Sequence, residues 1–167
     1  MYHAYRLQVI ADRHLLIPHT LAGIFALLIG PINFSSRIRQ RYLKFHCVLG
    51  RIYVISVFIG AATGVALASG RPGFPGTCGQ AAAWVVCTTA AFITARNRHV
   101  VQHRQWMARS YAVTFTFVSS RVLNLWPSYW SHLGDTLSAV GVIAFTLASL
   151  LIVDLGLNWR ELTTLRD

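Results

Sequence analysis

Long apolar runs alternate with short polar joints along the chain. Leu15–Phe34 (LLIPHTLAGIFALLIGPINF), Cys47–Ser69 (CVLGRIYVISVFIGAATGVALAS) and Leu133–Leu157 are the clearest runs. Trp106–Trp126 carries two arginines, and Cys78–Ala95 is rich in Ala and Thr. A hydrocarbon core about 30 Å thick needs about 20 mostly apolar helical residues to cross it. The runs have that length and lack the period-two alternation of barrel strands, so they predict helices. The joints SSRIRQRYLK, GRPGFPG, RNRHVVQHR and PSYWSHLGD separate them. The expectation is an all-α, polytopic integral membrane bundle of about five transmembrane helices, over 15–34, 47–69, 78–95, 106–126 and 133–157, in a single transmembrane domain of residues 1–167.

Composition agrees with a lipid solvent. The chain is 54% hydrophobic and only 12% charged, against about 25% charged in soluble domains. Its net charge of +10 and mean hydropathy of +0.50 together fit a membrane protein with basic cytoplasmic joints better than a nucleic-acid binder. Arg37, Arg39, Arg41, Lys44, Arg96, Arg98, Arg104, Arg160 and Arg166 crowd one side, with Arg51 and Arg109 just inside. The opposite side carries Arg6, Arg13, Arg71 and Arg121. The positive-inside rule then places the N-terminus outside and the C-terminus in the cytoplasm. Leu15–Phe34 is too long for a signal-peptide core and is read as a span. Trp106 and Trp159 fall near the inner interface, and Trp126, Tyr129 and Trp130 near the outer one. Cys47, Cys78 and Cys87 form neither a disulfide framework nor a Cys-x-x-Cys pair.

Small residues recur every fourth position at Ser56, Gly60, Gly64 and Ala68. Such a stripe lets helices approach closely in lipid, and packing within the bundle is preferred here to homo-oligomerisation. Gly30-Pro31 is expected to bend or end the first span, while Pro18 suits its first turn.

Two similar polar trios mark the chemistry: His46, Arg51 and Tyr53 in HCVLGRIY, and His103, Arg109 and Tyr111 in HRQWMARSY. Both begin spans on the basic side, with each Arg about 7–9 Å deeper than its His. A cation inside a bilayer is unfavourable unless it snorkels or finds a partner. Two trios at one level therefore predict a shared inner-leaflet pocket. Asp154 lies at the same level and is expected to pair with one of the two arginines. The other is left for an anionic ligand or lipid headgroup, since Arg offers a planar fork to carboxylate and phosphate. A weaker polar set is expected on the outer side from His19, Arg121 and Asp135.

Three alternatives stand beside this reading. Haem b held by His46 and His103 would make an electron-transfer protein. His99 and His103, four residues apart, could clip a metal ion with His46. A purely structural or assembly subunit of a membrane complex would need no ligand. No Walker loop, zinc-protease helix or nucleophile elbow is present, and no catalytic residue is assigned.

The stretches LAGIFALLIGPINF, RIRQRYLKFHCVLGRIYV and HRQWMARSYAVTF resemble the predicted bacterial membrane proteins grouped as domain of unknown function 2306. The resemblance rests on His19 with Gly23, Gly30 with Pro31, His46 with Gly50, Arg51 and Tyr53, and His103 with Trp106, Met107, Arg109, Ser110 and Tyr111; Arg121 follows. It covers about Leu15–Leu125. It implies a helical protein of a bacterial inner membrane and transfers no activity.

Overall fold

The computed structural model describes residues 11–71, 73–123 and 135–164. These residues form six helices and no strand: α1 (Arg13–Phe34), α2 (Ser36–Arg41), α3 (Leu43–Ala68), α4 (Phe74–Arg96), α5 (Val100–Leu123) and α6 (Asp135–Thr164). Side chains of 120–139 and 160–164 lie outside the description, so the expected outer partners Arg121 and Asp135 do too, as do Trp126, Tyr129 and Trp130.

Local sequence explains the breaks. Ser35 and Tyr42 flank the one basic helix, α2. Gly70 (φ 70°) and Gly73 (φ 87°) take left-handed conformations in the α3–α4 turn, and Pro75 then starts α4 without losing a helical hydrogen bond. The α4–α5 connection is only Asn97–His99, with Arg98 at φ 60°. Short connections force antiparallel neighbours. An ion pair from Arg71 to Asp12 joins the start of α1 to the α3–α4 turn, which places those two ends together.

α1, α3, α4 and α5 form a ring in which each packs on the next; α5 touches α1 more lightly. α6 lies outside the ring, against both α4 and α5. Burial is inverted relative to a soluble bundle. Leu21, Leu28, Ile55, Val86 and Ile152 are exposed, while Ser110, Thr88, Thr114 and Thr116 are almost fully buried beside Tyr53, Val57 and Val113. Apolar side chains turned outward suit a hydrocarbon solvent.

Among the described residues, four helices are long and apolar enough to cross a membrane: α1, α3, α4 and Val140–Trp159 of α6. The fifth expected span, α5, has 24 residues and a length of about 36 Å, yet falls short in hydropathy. Its polar residues explain this: Gln102, His103, Arg104, Gln105 and Arg109 crowd its first turns, and Ser110, Thr114 and Thr116 turn inward.

The small-residue stripe is used within the bundle. A Cβ on Gly60 would lie 3.1 Å from the Trp84 ring, and one on Gly64 would lie 3.2 Å from His19. Gly30-Pro31 does not end α1, which runs on to Phe34. Pro31 cannot donate to the carbonyl four residues back, and that carbonyl, Leu27 O, accepts the Tyr111 hydroxyl at 3.3 Å. Gly30 makes the approach feasible, because a Cβ there would sit 2.1 Å from the Tyr111 ring.

Candidate anion-binding cavity

The ends of α1, α3, α4, α5 and α6 that meet at the basic side border a cavity of about 640 Å³ that is open on one side, with Arg51, Arg96 and Arg104 exposed there. Arg39 of α2, Arg51 of α3, Arg96 of α4 and Arg104 of α5 line it, with His46 and His103. Among the described residues no carboxylate lines it. Phe34, Val54, Phe92, Met107 and Leu157 supply apolar wall. Two wall residues carry buried polar atoms without a hydrogen-bond partner: Asn33 Oδ1, on a side chain whose residue is 6% exposed, and His46 Nδ1. His103 Nδ1 lies 2.8 Å from Ala91 O. A carbonyl only accepts, so Nδ1 carries the proton and Nε2 holds the lone pair in the neutral ring.

Of the seven residues expected in one pocket, His46, Arg51 and His103 line the cavity, whereas Tyr53, Arg109, Tyr111 and Asp154 do not. The expected convergence of both arginines is thus corrected, and helical register explains why. Each residue turns the helix by about 100°. Arg51 is five residues beyond His46, but Arg109 is six beyond His103. The position on α5 equivalent to Arg51 is Ala108, and Ala108 lines the cavity. The extra residue carries Arg109 onto another face. There its Nε donates to Asp154 Oδ1 at 2.7 Å, and its guanidinium lies 4.9 Å from the Trp106 ring centroid. Asp154 therefore pairs with one of the two arginines, as expected, and ties α6 to α5.

The tyrosines are structural hydrogen-bonders. Tyr111 serves the Leu27 carbonyl and meets Phe34 edge-on at 5.6 Å. Tyr53 is fully buried, its hydroxyl 2.9 Å from both Ser110 Oγ and Thr114 Oγ1. Trp84 Nε1 donates to Thr114 Oγ1 at 2.8 Å, and Thr88 Oγ1 lies 2.7 Å from Ser110 Oγ. Gln80 Nε2 donates to Thr116 Oγ1 at 2.7 Å. This network fastens α3 and α4 to α5. Sequence reasoning missed it, although Ser110, Thr114 and Thr88 with Trp84 at four-residue spacings were a readable signal.

On the opposite side, His19 Nδ1 lies 3.1 Å from Gly60 O and 3.2 Å from Thr63 Oγ1, knitting α1 to α3. The metal clip of His46, His99 and His103 is not formed: among the described residues no three His, Cys, Asp or Glu side chains cluster suitably. His99 is exposed.

An outward-facing apolar surface, spans of membrane length and a polar interior define a helical membrane protein. Residues 16–156 match the family described as Predicted membrane protein (DUF2306), and the chain belongs to it. No curated protein and no solved structure matches the chain.

Proposed function

We propose that this protein binds an anionic ligand in the cavity at the basic end of the bundle, and that this end faces the cytoplasm. The observation that carries the reading is the lining: four arginines from four different helices and two histidines, with no carboxylate among the described residues. Four like charges around one space repel one another, and an anion relieves that repulsion while accepting charge-assisted hydrogen bonds. Asp154 cannot supply this neutralisation, because it serves Arg109. The orientation follows from the same cations through the positive-inside rule.

Native mass spectrometry of the purified protein tests the reading. The wild type is expected to retain an anionic species, and the Arg51→Gln/Arg104→Gln variant to lose it. Equal retention by both folded proteins would sink the proposal. The haem reading keeps one favourable observation: His46 and His103 share the cavity, and the His103 proton sits on Nδ1, as in histidines whose Nε2 ligates metal. A visible spectrum of the same sample, expressed with ample haem, decides it; a flat spectrum at about 410–430 nm, where haem proteins absorb strongly, removes it.

A further inference from the structure

The cavity is chemically divided along the bundle axis. Arg39, Arg96 and Arg104 sit within about one and a half turns of the helix ends. Arg51 is deeper, and Val54 deeper still, about 12 Å beyond His46 at 1.5 Å per residue. Met107, Phe92 and Leu157 continue the apolar wall. Phe92 and Leu157 are 39% and 40% exposed, so the described residues cover them only in part. A volume of about 640 Å³ far exceeds what a small oxyanion fills, given that a water occupies about 30 Å³ in the liquid. Partly covered apolar wall of this kind is stabilised by a hydrocarbon occupant.

The cationic half is equally specific. A carboxylate is satisfied by one bidentate arginine. Here guanidinium groups come from α2, α3, α4 and α5, which suits a head that accepts on several sides and carries more than one charge. A phosphate monoester has both properties. Resting on the anion-binding reading above, we infer that the occupant is a bilayer-borne amphiphile, with a phosphate monoester head among the arginines and its hydrocarbon chain against Val54, Phe92, Met107 and Leu157.

Cys47 supplies the readout. It is exposed and lines the cavity, whereas Cys87 is buried. In a Cys78→Ser background, in phosphatidylcholine nanodiscs, the rate of Cys47 alkylation by a small maleimide reports occupancy. Octyl phosphate is expected to protect Cys47 at a concentration at least tenfold below that needed for inorganic phosphate, and octyl phosphocholine to give no protection. Arg104→Gln should weaken protection by both phosphates. Val54→Trp, which fills the apolar half, should weaken only the alkyl one. Nanodiscs doped with phosphatidic acid should show protection without any added ligand.

Equal potency of inorganic and octyl phosphate would overturn the inference while leaving the anion site standing. Failure of both probes would overturn the two together. Octyl phosphate protection without any from phosphatidic acid would overturn the bilayer source, and a haem spectrum would assign the apolar half to a macrocycle instead.

Discussion

Tyr53 and Tyr111 show how single residues settle the packing. Each stands two positions after an arginine in a similar trio, yet Tyr53 anchors α3 to α5 and Tyr111 caps a carbonyl on α1. The Leu27 carbonyl has no helical donor because Pro31 follows four residues later. Tyr111→Phe keeps the ring and removes that donor. An unsatisfied buried polar group costs about 1–3 kcal/mol, so detergent-solubilised Tyr111→Phe should show a lower Tm than wild type. Gly30→Ala should be worse, since its methyl meets the ring directly. An unchanged melting curve for both would show that the α1–α5 contact contributes nothing. The sequence exposed the glycine, the proline and the tyrosine separately. Their relation was hidden because it joins residues 84 positions apart.

Among elements, the apolar helices were legible and the polar one was legible only in part. Length and hydropathy suffice for α1, α3, α4 and α6 because each presents large apolar side chains to the outside. α5 was readable as a helix from its length and its place between two joints, but its hydropathy does not mark it as a span. The site divided in the same way. His46, Arg51 and His103 were found from their level in the membrane, which sequence spacing encodes along the axis. Facing is encoded by residues taken modulo a turn, and one extra residue before Arg109 moved it from the cavity to α6. The Arg109–Asp154 pair is part-buried, with side chains 20% and 41% exposed to the surroundings of the bundle. Arg109→Leu leaves a carboxylate unpaired and should loosen α6. The double variant Arg109→Leu/Asp154→Leu should recover most of the lost stability, because removing both charges of a buried pair is far milder than removing one. Thermal unfolding in detergent gives the comparison; additive losses would show that the two side chains do not act as a pair.

At the scale of the whole molecule, the distribution of cations makes the two ends unequal. The basic end gathers Arg39, Arg51, Arg96 and Arg104 around one space, while the opposite end holds the Arg71–Asp12 pair. Ser36 of α2 and Ser69 after α3 are both exposed and lie at opposite ends. In a background without native cysteines, Ser69→Cys should react with an impermeant maleimide added to intact cells. Ser36→Cys should react only after the membrane is opened. The reverse pattern would invert the proposed orientation while leaving the bundle intact.

The polarity of α5 also bears on how the chain reaches its membrane. An arginine near the middle of a helix disfavours insertion by about 2.5–3.5 kcal/mol, and this helix adds two further basic residues, His103 and Arg104, near its start. Left to partition by itself during synthesis, it would stay at the aqueous boundary. Only three residues connect it to α4, whose Trp84, Thr88 and Gln80 satisfy its hydroxyls. The expected outcome is entry of the two as a hairpin, the more apolar α4 carrying α5 with it.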